Sequence, residues 1–283
     1  MIILDVEGKC KGFFEKNRKK LKGGSRSGII SNIWASILSK NGGYRVSMIK
    51  IKDYVRVGSL EEAYELNQKR SACILGGMLW TKMGQRQVQT AIDLSGLGLD
   101  QIEESEEEFS IGCMVTLRQM EEHEGLNAYT DGAARESVRS IVGVQFRNLA
   151  TVGGSIFGRF GFSDVLTLFL ALDTEGVTVY QSHRNSRTDF PVLTCAVRVE
   201  DGKGCAVLGA RPAKAARVEL PAELAEKLAA GKASAEELKA AASEISDQFT
   251  YGSNMRGSAG YRHHLGRVLL RRCMEEIQKK EEQ

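Results

Sequence analysis

Short segments of strand and helix character alternate from Met48 to the end of the chain, and this mixture limits the fold more than any other feature. Apolar, β-type stretches occur at Ala72–Leu75, Thr90–Leu94, Phe109–Met114, Gly176–Tyr180, Val192–Glu200 and Gly204–Gly209. Helix starts carry the Ser/Thr-x-x-Glu/Gln capping pattern at Ser59, Thr116 and Ser234. Because the elements are mixed and their connections are short, the pattern predicts an α+β fold with helices packed on sheets.

Composition places the chain among ordinary globular proteins of one or two domains. The 283 residues are 42% apolar and 27% charged, and only 3 are proline, which argues against a disordered polymer. The longest apolar stretch in the middle, Val165–Leu172, is far shorter than the roughly 20 residues that span a bilayer. Met1 leads a short apolar stretch and then a basic cluster, which is the reverse of the secretory order. We therefore expect a cytoplasmic location.

Residues 1–47 differ from the rest of the chain. They hold ten basic and three acidic residues, whereas the whole chain has 39 basic and 36 acidic residues, so the remainder is slightly acidic. A body without a basic excess disfavours nucleic-acid binding. We expect residues 1–47 to be a basic, poorly ordered N-terminal extension, with Met48 as an alternative start. The other interpretation is a basic arm for an anionic partner.

The residue types that usually carry side-chain chemistry are scattered. The six cysteines show no Cys-x-x-Cys spacing, so neither a zinc site nor an iron–sulfur site is predicted. The four histidines offer no ligand spacing, and no Gly-x-Ser-x-Gly elbow marks a serine nucleophile. We therefore expect no catalytic side chain and no metal ligand, which favours a bound cofactor as the carrier of any reaction.

Two glycine pairs are the strongest local signals for such a cofactor. Gly76-Gly77 follows the strand at Ala72–Leu75, and Gly153-Gly154 lies in a segment that is too glycine-rich to continue the preceding helix. Paired glycines let successive backbone amides approach an anion and form a nest for pyrophosphate oxygens. Asp164, at the start of the next helix, is placed to accept hydrogen bonds from a ribose. Each pair taken alone is also typical of a tight turn.

Two common nucleotide-binding folds are disfavoured by the motifs that the chain lacks. No Gly-x-Gly-x-x-Gly follows a strand, and no Gly-x-x-x-x-Gly-Lys-Ser/Thr is present. Neither a Rossmann dehydrogenase nor a P-loop enzyme is therefore expected from this sequence.

Four motifs, occurring together and in order, carry a family resemblance. They are Ile74–Met78, Phe109–Leu117, Gln145–Ile156 with Ser163 and Asp164, and Met255–Tyr261 followed by Arg262. In these motifs, residues 48–283 resemble the FAD-binding subunits of the molybdenum hydroxylases, the xanthine dehydrogenase and carbon monoxide dehydrogenase family. The resemblance is greatest to the separate flavin subunit of bacterial xanthine dehydrogenases.

The resemblance implies a two-lobed FAD-binding domain of the vanillyl-alcohol-oxidase (PCMH) type at residues 48–183, followed by a smaller α+β C-terminal domain at residues 184–283. FAD would be held between the two lobes. By matching motifs, the resemblance implies FAD contacts in two pyrophosphate loops. The first loop comprises Cys73, Ile74, Leu75, Gly76, Gly77, Met78, Leu79 and Trp80, and the second comprises Thr151, Val152, Gly153, Gly154 and Ser155. Ile141, shortly before the second loop, and Asp164, at the nucleotide end, would also contact FAD.

The same resemblance implies a role in electron transfer. In this family the flavin takes electrons from a separate 2Fe-2S subunit and passes a hydride to NAD, while the substrate is oxidised at molybdopterin on another chain. The chain would then be an oxidoreductase subunit that is not catalytically complete alone. Its partners would be the 2Fe-2S and molybdopterin-binding subunits of a heteromeric complex in purine catabolism, with neither nucleic acid nor membrane as a partner.

One departure from the family concerns a short connection. Only ten residues, Thr174 to His183, lie between Asp173 and Arg184, where the family has several tens. The second lobe is therefore expected to be shortened, with a sheet edge left unpaired. The alternative function is a flavin-free assembly or remnant module that keeps the partner-docking fold without the cofactor.

Overall fold

The computed structural model describes β1 (Ile2–Ile3) and residues 49–281, apart from 107, 159, 173–175 and 201. The predicted N-terminal extension therefore lies outside the described residues, except for β1. The described residues form two compact units, residues 49–97 and residues 98–281, and β1 belongs to the second. Within this part of the chain, no helix has the length and apolar character needed to cross a membrane.

The unit of residues 49–97 is a parallel sheet with one α-helix. Its strands are β2 (Lys50–Arg56), β3 (Ala72–Leu75) and β4 (Gln87–Asp93), in the order β2-β4-β3. Two helical segments join them, α1 (Leu60–Leu66) and a 3-10 turn (Thr81–Met83). The predicted cap of α1 forms, because the Ser59 hydroxyl accepts the Glu62 amide at 3.2 Å.

Burial in this unit follows the position of each strand. The central strand β4 buries Val88, Ala91 and Ile92, whereas the edge strand β2 is mostly exposed. Leu75 at the end of β3 packs with Val88 and Ala91 in a small apolar cluster. The end of β3 is thus anchored, and the segment that follows it leaves from a fixed point.

The unit of residues 98–281 begins with a small sheet and a helical region. Strand β5 (Ile102–Glu104) is antiparallel to β6 (Phe109–Ile111), and β1 pairs with β6 in parallel. The helices that follow are α2 (Leu117–Glu122), α3 (Glu124–Tyr129), α4 (Ala133–Val138), α5 (Val144–Arg147), α6 (Val152–Phe157) and α7 (Asp164–Ala171). The predicted capping box of α2 is complete between Thr116 and Gln119.

The rest of this unit is a four-stranded antiparallel sheet with helices packed on it. Its strands are β7 (Val177–Arg184), β8 (Pro191–Glu200), β9 (Lys203–Gly209) and β10 (Ala216–Glu219), in the order β10-β9-β8-β7. The helices after it are α8 (Ala222–Ala229), α9 (Ala235–Asp247) and α10 (Ala259–Glu281). The Ser234–Glu237 capping box of α9 forms as predicted.

The main core lies in this sheet domain. Helix α7 packs on β8 and β9, and α10 packs on β7 and β8, so that nearly every residue of β8 is buried. Leu208, Leu228, Ile245, Leu269 and Met274 are among the side chains of the core. Each large apolar side chain buried in this way stabilises the fold by roughly 1.5–3 kcal/mol. The mixture of sheets and helices confirms the predicted α+β class.

The strand predicted at Gly176–Tyr180 forms and extends to Arg184, and its partner is β8. It is therefore the edge strand of the sheet made by the residues that follow it. Gly176, directly before the strand, has a φ of +113°, and a Cβ there would lie 2.1 Å from the Val199 carbonyl oxygen. Only glycine fits this position without strain. Residues 173–175 of the short connection lie outside the described residues.

Candidate functional site

The first glycine loop, Gly76–Trp80, leaves the carboxyl end of β3 in the parallel sheet. In open sheets of parallel strands, ligands bind beyond the carboxyl ends of the strands. Among the described residues, no backbone acceptor is hydrogen-bonded to the amides of Gly76, Gly77, Met78 and Leu79. These four consecutive N–H groups therefore lack a backbone partner in the described part of the chain. A row of free amides of this kind can bind an anion.

Met78 determines the shape of this loop. Its φ is +56°, in the left-handed region that non-glycine residues rarely adopt. Its carbonyl accepts the Lys82 amide at 2.9 Å, which ties the loop to the 3-10 turn. A left-handed residue within a turn directs neighbouring amides to one side, as in anion-binding nests, and backbone strain of this kind clusters at ligand sites.

The residues before the loop hold it in place. Leu75 is buried, and Cys73 packs against the apolar cluster of this unit. The guanidinium of Arg86 donates to the Arg70 carbonyl at 2.6 Å and to the Ala72 carbonyl at 3.0 Å, which braces the start of β3. Cys73, Ile74 and Leu75 are thus strand residues that position the loop.

The preceding helix ends at Arg147, as predicted for a segment too glycine-rich to continue it, but the second glycine pair then lies in a new helix. Val152–Phe157 forms α6, and both glycines fall in its first turn. Thr151 is the N-cap, because its Oγ1 accepts the Gly154 amide at 3.2 Å. The cap supplies the helix start that the glycines by themselves disfavour.

The amides of this helix start are already engaged within the protein. The Val152 amide donates to the Val115 carbonyl at 2.8 Å, and the Gly153 amide donates to the Cys113 carbonyl at 2.9 Å. The Ser155 amide donates to the Thr151 carbonyl at 3.0 Å, and Gly154 donates to the cap as described. In this conformation the second glycine pair offers no amide to an anion.

Gly153 has a packing reason to be glycine. A Cβ at this position would lie 2.6 Å from the Cys113 carbonyl oxygen and 2.8 Å from the Cys113 Cβ. Such distances are too short for any side chain, so the segment after β6 and the start of α6 approach each other only because Gly153 has none. The physical reason for this glycine is therefore helix packing.

Asp164 lies at the start of α7 and is buried, with 4% of its surface exposed. Its Oδ1 accepts a hydrogen bond from the Tyr180 hydroxyl at 2.5 Å and another from the Arg184 guanidinium. These two residues come from β7, so the carboxylate joins α7 to the edge strand of the large sheet. The predicted ribose contact would have to share this carboxylate with both partners.

Burial is the main influence on the pKa values of Asp164 and Tyr180. It raises the pKa of the Asp164 carboxyl, although the charge of Arg184 opposes the rise. It also raises the pKa of Tyr180 well above its usual value, and the neighbouring Asp164 charge adds to that effect. Tyr180 therefore keeps its proton and acts as the donor to Asp164.

Ile141 lies in the turn after α4 and helps to position a buried ion pair. Its carbonyl accepts from Arg147 Nη1 at 3.1 Å. The same guanidinium donates to both carboxylate oxygens of Glu121, at 2.8 Å and 3.2 Å. Desolvation of Glu121 opposes its ionisation, but the hydrogen bonds from Arg147 and Arg118 hold its pKa below the usual value.

The predicted site residues fall into two groups. Residues 73–80 belong to the unit of residues 49–97, and Ile141, Thr151–Ser155 and Asp164 belong to the unit of residues 98–281. Within the second unit the structure does bring two segments together, because Ser163 Oγ donates to the Ser155 carbonyl at 3.1 Å. The start of α7 is thus held against α6.

Sequence reasoning missed the partners that hold these segments. Glu121 and Arg147 are 26 positions apart, and Asp164 and Arg184 are 20 positions apart. No periodicity links charges at such separations, since the pairing depends on how the helices pack. Among the described residues, no group of three metal-ligating side chains occurs.

Family comparisons define the class to which this fold and glycine loop belong. Residues 47–193 match the FAD binding domain in molybdopterin dehydrogenase, and residues 178–277 match the CO dehydrogenase flavoprotein C-terminal domain. The two matches make this a flavin-domain protein of the molybdenum hydroxylase type. Because the first match covers more than half of the sequence, the chain belongs to the molybdopterin dehydrogenase FAD-binding family. The family-level resemblance inferred from the sequence is confirmed, and its xanthine dehydrogenase specificity is not part of that finding.

Solved structures share the fold at low sequence identity. Quinoline 2-oxidoreductase from Pseudomonas putida 86 is 15% identical with a TM-score of 0.65, covering 81% of this chain and 97% of the other. Carbon monoxide dehydrogenase from Hydrogenophaga pseudoflava is 19% identical with a TM-score of 0.67, covering 81% and 97%. The cyanide-inactivated form of a Cu,Mo-CO dehydrogenase is 20% identical with a TM-score of 0.68, covering 82% and 99%. No curated protein sequence matches this chain.

Proposed function

We propose that this chain binds FAD and carries electrons as one subunit of a heteromeric molybdenum hydroxylase. The observation that supports this most directly is the run of amides from Gly76 to Leu79, which have no backbone acceptor among the described residues. The chain's family is described by FAD binding, and its structural relatives include a Cu,Mo-CO dehydrogenase. A flavin pyrophosphate is the anion that fits both facts.

The first glycine loop suits this ligand physically. The amides of Gly76, Gly77, Met78 and Leu79 would donate to the pyrophosphate oxygens, while β3 and the 3-10 turn hold the loop from either side. Trp80, which is 37% exposed, closes this segment. When bound, FAD supplies one- and two-electron transfer, whereas the protein supplies binding and orientation.

The second segment fits a different role from the one expected for a pyrophosphate loop. Its amides are engaged, so we propose that Thr151–Ser155 and Ile141 contact the cofactor through side chains and Cα surfaces. The Thr151 hydroxyl oxygen accepts from Gly154, which leaves its proton for donation. We propose that Asp164 contacts the nucleotide end through the carboxylate oxygen that does not face Tyr180 and Arg184.

Finer assignments extend this proposal. We propose a xanthine dehydrogenase type of complex, with electrons arriving from a 2Fe-2S partner and leaving to NAD, and with molybdopterin on a further subunit in the cytoplasm. The domain boundaries at residues 48–183 and 184–283 belong to the same proposal. Their support is the resemblance of the four ordered motifs to bacterial xanthine dehydrogenase flavin subunits.

Gly77 offers a direct test of flavin binding. The full chain purified with FAD is expected to show the flavin absorption bands, and titration gives its Kd. Gly77→Asp is expected to weaken binding by at least about 100-fold, because it sets a carboxylate against the pyrophosphate. Gly77→Asn has nearly the same size without the charge, so its loss should be much smaller.

Two results would contradict this proposal. One is a colourless wild-type chain that binds no FAD at micromolar concentrations. The other is equal binding by the Asp and Asn variants, which would remove the pyrophosphate from the neighbourhood of Gly77. Circular dichroism of all three proteins shows whether each variant is folded.

A flavin-free assembly module is the second candidate function. The observation that favours it is that the amides of Val152–Ser155 are all engaged inside the protein. Co-purification of an iron–sulfur partner with a colourless chain would support this candidate. A yellow complex whose flavin is reduced by NADH would exclude it.

A further inference from the structure

Two cysteines from different elements meet in the core of the large sheet. The Cys273 thiol of α10 donates to the Cys195 sulfur of β8, with 3.7 Å between the two Sγ atoms. Both side chains are fully buried, and both are free thiols. The two residues are 78 positions apart in the chain, so the fold brings them together and sequence proximity does not. We call them the cysteine pair.

The sheet fixes the position of Cys195. This residue lies in the interior strand β8, where its neighbours across the two ladders are Gln181 of β7 and Leu208 of β9. Successive side chains of a strand point to opposite faces of the sheet. Thr194, the preceding residue, shares a hydrogen bond of 2.9 Å with Thr167 of α7. Cys195 therefore points to the other face, which α10 covers.

The helix fixes the position of Cys273. Leu269 and Ile277, four residues to either side of it, are also buried, so the three side chains form one inner stripe of α10. Near the start of the same helix, Arg262 Nε donates to the Val192 carbonyl of β8 at 2.9 Å. The helix is thus held on the strand at one end, and the cysteine pair lies further along the same contact.

This arrangement suits a disulfide between the two sulfurs. An S–S bond is about 2.05 Å long, so the sulfurs have to approach by roughly 1.7 Å. Rotation about side-chain bonds moves a sulfur over such a distance while the backbone stays in its element. Because the fold holds the two thiols in contact, their effective concentration toward each other is high.

Burial controls how fast the cysteine pair can react. It raises the pKa of the Cys273 thiol well above its usual value, and the hydrogen bond to Cys195 adds to the rise. Since the thiolate is the reactive form, the pair is inert while α10 is closed on the sheet. Reaction therefore requires local opening of α10, and closure then shields the product from solvent.

We propose that the cysteine pair is a redox-dependent lock, in which a disulfide between Cys195 and Cys273 joins α10 to β8. The oxidant is a low-molecular-weight disulfide of the glutathione class. One protein thiolate attacks it, which forms a mixed disulfide and releases one glutathione thiol. The second protein thiolate displaces the other glutathione. The protein gives up two electrons and two protons, and the oxidant takes them up as two thiols.

The lock acts on the stability of the fold and on the opening of α10. Its bond spans 78 positions, and a cross-link that closes a long loop constrains the unfolded chain strongly. We expect the disulfide to raise the melting temperature by roughly 5–15 °C. Hydrogen exchange of the α10 amides is expected to slow, because the helix opens less often. Neither effect involves flavin, so the lock goes beyond the proposed function.

Glutathione redox buffers test the lock on the full chain. The protein is equilibrated at about pH 8.5 with varied ratios of oxidised to reduced glutathione, in urea below the unfolding transition so that α10 opens. After an acid quench, the remaining thiols are alkylated in denaturant and the digest is mapped by mass spectrometry. We expect a linked pair of peptides that contain Cys195 and Cys273.

Cys205 provides the internal control. It is fully buried in β9 of the same sheet, but its thiol donates to the Ala171 carbonyl at 3.7 Å. Burial raises its pKa to about 11, so its thiolate is also scarce. We expect Cys205 to be recovered alkylated at glutathione ratios that link the cysteine pair.

Three alanine variants separate the bond from core packing. Cys195→Ala and Cys273→Ala each remove one partner, and both are expected to abolish the rise in melting temperature on oxidation. Cys205→Ala removes an equally buried sulfur and should keep the rise. Each variant is compared with its own reduced form, so that lost packing affects both measurements equally. If an alanine variant does not fold, the linked peptides and melting temperatures of the wild type decide.

Three results would overturn the lock. The first is the absence of linked peptides even in a large excess of oxidised glutathione, which would leave the two thiols as ordinary core side chains. The second is linkage of Cys205 to the same extent as the cysteine pair. The third is a disulfide that forms between Cys195 and Cys273 and leaves both the melting temperature and the exchange of α10 unchanged.

Discussion

Arg147 illustrates how single residues support the candidate site without contacting a ligand. It lies in the segment that leads to the second glycine pair, and it bonds both oxygens of Glu121 as well as the Ile141 carbonyl. Both side chains of the ion pair are nearly buried, at 7% and 10% exposure. Removing one partner from such a pair leaves a charge without compensation in a medium that solvates it poorly. The position of Ile141 depends on this pair.

Acid titration tests the contribution of Glu121. Its lowered pKa means that the ionised pair stabilises the fold above the ordinary carboxyl pKa of about 4.3, and that this stability is lost as the pH falls through the lowered value. Glu121→Gln is expected to cost about 3–5 kcal/mol at pH 7 and to flatten the acid dependence of stability. Urea unfolding between pH 7 and pH 3 measures both effects.

The adjacent Glu122 serves as the control for that experiment. Its pair with Arg118 is exposed, so Glu122→Gln is expected to change the unfolding free energy by less than about 1 kcal/mol. An acid dependence of Glu121→Gln equal to that of the wild type would contradict the role assigned to the buried pair.

At the scale of elements, α6 shows why a glycine pair does not by itself define a loop. Intrinsic propensity disfavours a helix at Gly153-Gly154, but the Thr151 cap and the bonds to Cys113 and Val115 stabilise one. The close approach of the Cys113 backbone requires a residue without a side chain at Gly153. Tertiary contacts thus decide the conformation of this segment.

Two glycine substitutions separate packing from propensity. Gly153→Ala is expected to destabilise the protein by about 1–3 kcal/mol, because its Cβ would meet the Cys113 backbone. Gly260→Ala lies in α10 with no atom within 4 Å of the added Cβ, and is expected to stabilise by about 0.5–1 kcal/mol. Urea unfolding checks both, and a neutral Gly153→Ala would show that the two segments do not approach so closely.

The sequence predicted the local signals well and the non-local pairings poorly. The capping residues Ser59, Thr116 and Ser234 and the strand Ala72–Leu75 are where patterning placed them, since caps and strand alternation depend on neighbours in the chain. The partner of β7 was not predictable, because a strand's hydrogen-bonding neighbour depends on topology. The Asp164–Arg184 contact follows from that same pairing.

At the scale of the whole molecule, a short connection joins α7 to the large antiparallel sheet. Helix α7 ends at Ala171 and β7 begins at Val177. Only five residues, 172–176, therefore separate a helix of the preceding region from the edge strand of this sheet. Within the sheet, β7 to β10 pair in sequence.

Insertions test whether this passage is free to vary. A flexible insertion of eight Gly and Ser residues directly before Gly176 is expected to lower the melting temperature by only a few degrees, because loop closure depends weakly on length. The same insertion between Tyr180 and Gln181 would break the β7 ladder and is expected to prevent folding. Thermal unfolding of both proteins measures the difference, and equal losses would contradict the assignment of β7 to this sheet.

The left-handed glycine at position 176 then acts as a boundary for protein engineering. Upstream of it we expect the polypeptide to accept a graft, such as an epitope tag. Directly downstream of it, Val177–Arg184 pair with β8. A graft should therefore be joined on the amino-terminal side of that glycine.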